Sequence, residues 1–258
     1  MKISSVQHIA VLLIASFFHC AADETHVTTK RGAEVSVLAE FPTGNGPFPT
    51  VVLAPGQGYH MRLPVLVETT KQLIARGYAV YRFDWAYFTK DAKHGEPAED
   101  LSTEVEDMRA VLDLARVDPR VDKTKMSVGG KSLGSLVAWQ VFTTDKALRS
   151  GLFLTPVCSH TDAGKPPVSE ATENYAGSHQ ETRPVAYISG DHDPLCSTPL
   201  LYRFAESAGG PARVAVVGGD HSFRVQNSAG AVLDAPSTHS VSLVADLATN
   251  FIDNTLRD

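Results

Sequence analysis

Short apolar runs alternate with stretches of helically spaced apolar residues along most of the chain. The runs at 50–54, 78–83, 126–128, 152–157, 185–189 and 214–217 are nearly all apolar, the pattern of strands buried on both faces. Between them, residues 64–76, 103–115, 135–142, 200–208 and 241–256 carry apolar positions at helical intervals. Pro64 opens the first of these stretches and Gly77 follows it, as helix boundaries favour. Thr103 and Glu106 have capping-box spacing ahead of Val105, Met108, Leu112 and Ala115 on one helical face. Residues 26–40 alternate on either side of Lys30-Arg31-Gly32, which predicts a hairpin. Strands alternating with helices predict an α/β fold, a mostly parallel central sheet with helices on both faces. The long polar connection at 159–183 is too short for a large cap domain, with room for a small lid.

Residues 1–22 read as an export signal. Lys2 gives the positive start, residues 9–18 are mostly apolar, and Cys20-Ala21-Ala22 supplies small residues for cleavage after Ala22. That run is short for a permanent membrane span. A lipidated Cys20 is the competing reading, and Phe17, Phe18 and His19 ahead of it fit that poorly. The mature chain is then one domain over 23–258. A hydrophobic content of 43% with 20% charged residues suits a soluble globular domain, and a net charge of -6 argues against a nucleic-acid surface.

Reactive groups in a parallel sheet gather beyond the carboxyl ends of its strands. After the 126–128 run comes Gly130-Lys131-Ser132-Leu133-Gly134, a G-x-S-x-G pentapeptide between a strand and a helix. Gly129 and Gly130 are expected to end the strand, and the flanking glycines let Ser132 stand exposed on a tight turn. Gly130-Lys131-Ser132 also imitates a phosphate loop. That loop needs a further glycine five positions earlier, where Lys125 stands. Lys131 itself is read as solvated, an anionic-substrate role being the weaker alternative.

A serine hydroxyl needs a base, and the base an orienting carboxylate. Of the ten histidines, His221 is singled out by its place in the loop after the last strand. The loop after the preceding strand offers Asp193, with Asp191 as the fallback and turn-former. The order Ser132, Asp193, His221 and the strand-end positions point to nucleophilic catalysis without a cofactor. Leu133 N–H and Gln57 N–H, the latter in Pro55-Gly56-Gln57-Gly58 with Gly58 as the next choice, are the candidate oxyanion donors. Tyr59 and Trp85 follow strands on the same side, as do His60, Tyr87 and Phe88, and are candidates for a substrate pocket.

GKSLG, GDHDP, GGDHSF and the PGQG loop together resemble the α/β-hydrolase superfamily, within its small, capless, dienelactone-hydrolase-like group. The resemblance covers nearly all of the mature chain. Dienelactone hydrolases carry cysteine where this chain has Ser132, and PGQG departs from the commoner HGxG. The resemblance implies a serine hydrolase acting on a small-molecule ester, by carboxylesterase chemistry. A thioesterase, lactonase or peptidase would use the same parts, and a non-catalytic binding protein would keep the fold without turnover. In such a fold Cys158 and Cys196 lie just past neighbouring strands. With Cys20 removed they form an even pair, expected as a disulfide, two buried thiols being the alternative. Neither has zinc-site spacing, so no metal is expected.

Overall fold

The apolar runs form one eight-stranded sheet in the computed structural model, which describes residues 21–160 and 169–257. The expected export segment lies outside these residues except for Ala21 and Ala22, which begin the first strand. The strands are β1 (Ala21–Thr28), β2 (Glu34–Phe41), β3 (Phe48–Ala54), β4 (Ala79–Asp84), β5 (Val121–Lys131) and β6 (Gly151–Leu154). A two-stranded ribbon of β7 (Ser159–His160) and β8 (Ser169–Glu170) stands apart, and β9 (Val185–Gly190) and β10 (Ala212–Val217) complete the sheet. The sheet order is β1-β2-β4-β3-β5-β6-β9-β10. β2 pairs antiparallel with both β1 and β4, and the pairings from β4 to β10 are parallel. The helices are α1 (Pro64–Ala75), α2 (Ala86–Lys90), α3 (Ser102–Val117), α4 (Leu133–Thr144), α5 (Thr198–Glu206) and α6 (Asp234–Leu256).

Alternate residues of each central strand feed two separate cores, the period-two geometry of a pleated sheet. Val52 and Ala54 of β3 face Met108 and Leu112 of α3 and Val137 of α4. Val51 and Leu53 of the same strand face Leu66 and Leu73 of α1 and Val244 and Ile252 of α6. Among the described residues no helix is long and apolar enough to cross a membrane. Among its described residues the connection after β6 carries no large cap. Its Tyr175 is buried and packs edge-on to Trp139, Tyr187 and Phe204, with ring centroids 5.6–6.1 Å apart.

Two local expectations are corrected. Gly129 and Gly130 do not break the strand, because β5 continues to Lys131. A Cβ on Gly130 would lie 2.2 Å from Gly134 O, so glycine serves close backbone approach there. Thr103 and Glu106 form no capping box, since α3 begins at Ser102 with no side-chain cap. Glu106 instead accepts from Arg31 N–H at 2.7 Å and Arg31 Nη1 at 3.1 Å, tying the β1–β2 turn to the helix.

Candidate active site

β5 runs straight into Ser132, which adopts φ 55° and ψ -120° before α4 starts at Leu133. Positive φ strains a non-glycine residue, and such strain collects where geometry is functional. Ser132 N–H donates to Leu154 O at 3.0 Å, pinning the turn to the neighbouring strand. The helix must then start against the β3 end, and a Cβ on Gly134 would sit 2.5 Å from Pro55 O. The two flanking glycines therefore allow the packing that leaves the serine oxygen outermost.

The loops after β9 and β10 bring the other two members to it. Ser132 Oγ lies 2.8 Å from His221 Nε2, and His221 Nδ1 lies 2.9 Å from both Asp193 oxygens. With Nδ1–H donated to the carboxylate, the Nε2 lone pair faces the serine hydroxyl. Asp193 is buried and also accepts from Ser189 Oγ at 2.9 Å and Leu195 N–H at 2.9 Å. Asp191 does different work. It accepts the Gly219 N–H at 2.8 Å and so shapes the histidine loop. Fully buried Phe223 anchors the far side of that loop. Burial alone would raise the Asp220 carboxyl, but Arg224 and the Ser222 and Arg224 amides hold it below the usual range.

The loop over the serine is a turn closed by Tyr59 N–H to Gly56 O at 3.4 Å, with Gly58 at φ +67° in its third position. A positive φ there is what a type II turn needs from glycine. A Cβ on Gly56 would come within 3.4 Å of Ser132 Cβ, so this loop passes directly above the nucleophile. The closing bond leaves the Gln57 N–H unused by the turn. The Gln57 side chain is held away by Glu96, Nε2 to Oε2 at 2.8 Å. Leu133, as the first residue of α4, has an N–H without an intrahelical acceptor.

The aromatic residues part company. Tyr59 is 39% exposed beside the serine. Trp85 does not line a pocket: it is fully buried, edge-on to Phe83, and its Nε1 donates to Pro55 O at 3.2 Å. It braces the loop from beneath. His60 accepts from Arg62 N–H, and burial pushes the half-buried Tyr87 hydroxyl up to about 12. Lys131 is not solvated either. It is wholly buried, which pushes its ammonium down to about 8. Sequence reading misses Ser189, a lone polar residue in an apolar strand, which has no local signature. A cleft of about 720 Å³ lined by Val27, Lys30, Arg109 and Asp145 holds none of these residues. No group of metal-ligating side chains occurs among the described residues.

Cys158 and Cys196 are joined by a disulfide across 38 residues. It fixes the acid loop, because Leu195, which donates to Asp193, itself accepts from Cys158 N–H at 3.0 Å and Ser159 Oγ at 2.8 Å. Closing a loop of that length constrains the unfolded chain by about 4 kcal/mol. The double variant C158S/C196S is expected to lose about that much unfolding free energy in urea titration. An unchanged midpoint would deny the bridge this role.

Residues 47–252 match the family model described as an alpha/beta hydrolase domain. The quorum-quenching protein AidA of Acinetobacter baumannii is 32% identical over 97 residues, a stretch spanning 36% of this chain and 30% of that protein. Dienelactone hydrolase from Anabaena variabilis superposes with a TM-score of 0.69 at 15% identity, covering 92% of this chain and 99% of that one. An alpha-beta serine hydrolase homologue from Coxiella burnetii gives 0.65 at 18% identity, covering 87% and 96%. At these identities the structural likeness establishes the fold.

Proposed function

The chain belongs to the alpha/beta hydrolase family, and on that premise we propose that it is a serine hydrolase cleaving small esters through an acyl-enzyme. The observation that carries this reading is the unbroken chain Ser132 Oγ, His221, Asp193 at 2.8 and 2.9 Å. Ser132 Oγ attacks the acyl carbon while its proton passes to His221 Nε2. The tetrahedral oxyanion is received by the Leu133 and Gln57 N–H groups. Collapse breaks the bond to the leaving alcohol, which takes the proton from His221. Water, deprotonated by the same nitrogen, then releases the acid and restores Ser132. Asp193 keeps the imidazole oriented and stabilises its cation. Thioesters, lactones and peptides present the same acyl carbon, and the position of Ser132, in place of a cysteine, supports the ester assignment.

The positive start and apolar run of residues 1–22 support export, followed by cleavage after Ala22 to leave one domain over 23–258. The Cys158–Cys196 bond suits an oxidising compartment. The net charge of -6 supports a small-molecule substrate over a nucleic acid. Purified protein is expected to turn over p-nitrophenyl acetate and butyrate with kcat on the order of 1–10³ s⁻¹, faster than a matched anilide. Folded protein that hydrolyses neither ester, nor a thioester or lactone of like size, would make the fold a binding module instead.

A further inference from the structure

Burying an ammonium ion without a hydrogen bond is among the costliest things a fold can do with a single side chain. Lys131 is such a group. It is fully buried, and its Nζ has no hydrogen-bond partner among the described residues. The acyl-transfer chemistry gives it no step, yet it immediately precedes the nucleophile at the end of β5.

What Nζ does face is the ring of Tyr59, with the centroid 5.3 Å away. That is within the roughly 6 Å at which a cation is drawn to an aromatic face. Tyr59 belongs to the same tight turn as Gln57, and its N–H closes that turn onto Gly56. Its ring also lies against Gly56, where an added Cβ would come within 3.3 Å of Tyr59 Cδ2 and 3.4 Å of Ser132 Cβ. The contact therefore joins the nucleophile strand to the loop that carries the second oxyanion donor.

We infer that Lys131 and Tyr59 form a cation–π latch holding residues 55–59 in register with Ser132, so that Lys131 is a positioning residue for the Gln57 N–H. The contact stands on geometry alone; its effect on turnover rests on the serine-hydrolase reading. The charged groups acting on Nζ are Asp193 beyond β9 and Asp220 beyond β10, which attract it, and Arg224, which opposes it. Both carboxylates are already engaged. Asp193 holds His221, Ser189 and Leu195, and Asp220 holds Arg224 and Ser222. The ring face is left for the lysine. Burial brings the ammonium down to about 8 against the pull of Asp193 and Asp220, so the cation is present below that pH and is lost as pH rises through it.

Lys131→Met keeps the stem and removes the charge. Its kcat for p-nitrophenyl acetate is expected to fall roughly tenfold with KM within about twofold, the size of a partly desolvated cation–π contact. Its Tm is expected at or above wild type, since a buried charge without a hydrogen bond leaves the interior; loss of a merely structural residue would lower it. Tyr59→Leu should lose a similar factor of kcat, Tyr59→Phe should retain most of it, and the double variant K131M/Y59L should be no slower than the slower single. Wild-type kcat should decline above about pH 8, a limb that Lys131→Met lacks. Amide hydrogen exchange at residues 56–60 should quicken in both single variants, with or without any turnover. Wild-type kcat and exchange in Lys131→Met, or independent, multiplying losses in the double variant, would overturn the latch. Should the wild type hydrolyse no ester, the hydrolase reading has failed, and hydrogen exchange decides the latch alone: unchanged protection in Tyr59→Leu and Lys131→Met rejects it.

Discussion

Ser132→Ala is expected to lower kcat for p-nitrophenyl butyrate about a millionfold while leaving the fold intact. The side chain removed is one oxygen, 2.8 Å from His221 Nε2, and without it no acyl-enzyme forms. Any remaining rate must come from water attacking a substrate held by the proposed Leu133 and Gln57 donors, which characteristically leaves about 10³–10⁴ over the uncatalysed reaction. The backbone at this position is strained, with φ 55°. Alanine does not relieve that strain, so the variant should melt near the wild-type temperature. A loss of only a few-fold would place the nucleophile elsewhere.

Asp193→Asn should lower kcat about 10⁴-fold. The carboxylate accepts from His221, Ser189 and Leu195, and an amide nitrogen placed among those donors faces them with its own hydrogens. The imidazole can then settle with its proton on Nε2, pointing a donor at Ser132 where a lone pair is needed. Asp191→Asn separates the two aspartates of the loop. Asp191 serves the Gly219 N–H and not the imidazole, so its replacement is expected to cost far less turnover. Parallel kcat measurements on the two variants check this, and equal losses would contradict the assignment of Asp193.

How much of the site is legible in the chain depends on where its information lies. Ser132, Asp193 and His221 each stand just past a strand that announces itself as an apolar run, and a parallel sheet gathers the residues beyond its strand ends at one edge. The disulfide is legible for the same reason, because Cys158 and Cys196 lie past the adjacent strands β6 and β9. Trp85 and Tyr59 also stand past strands, and nothing local distinguishes them. Which ring is buried against Pro55 and which stays exposed beside Ser132 is a tertiary matter. The burial of Lys131 is hidden because a glycine pair ordinarily signals a strand end, and β5 runs through it. Lys123 and Thr124 near the start of β5 are exposed, whereas from Met126 onward the strand is covered on both faces and buries even its lysine. The capping box fails because α3 begins at Ser102, a residue before Thr103, and Glu106 pairs instead with the Arg31 guanidinium, 75 residues away in sequence. Spacing rules see one segment at a time, and these outcomes turn on a second.

In the proposed mechanism Ser132 Oγ is the nucleophile. Purified protein would be treated with a fluorophosphonate, digested, and the adduct located by peptide mass, alongside Ser132→Ala. One equivalent of label is expected on the peptide containing Ser132, and none anywhere in Ser132→Ala. Folded wild-type protein that stays unlabelled, or label that persists in Ser132→Ala, would contradict it.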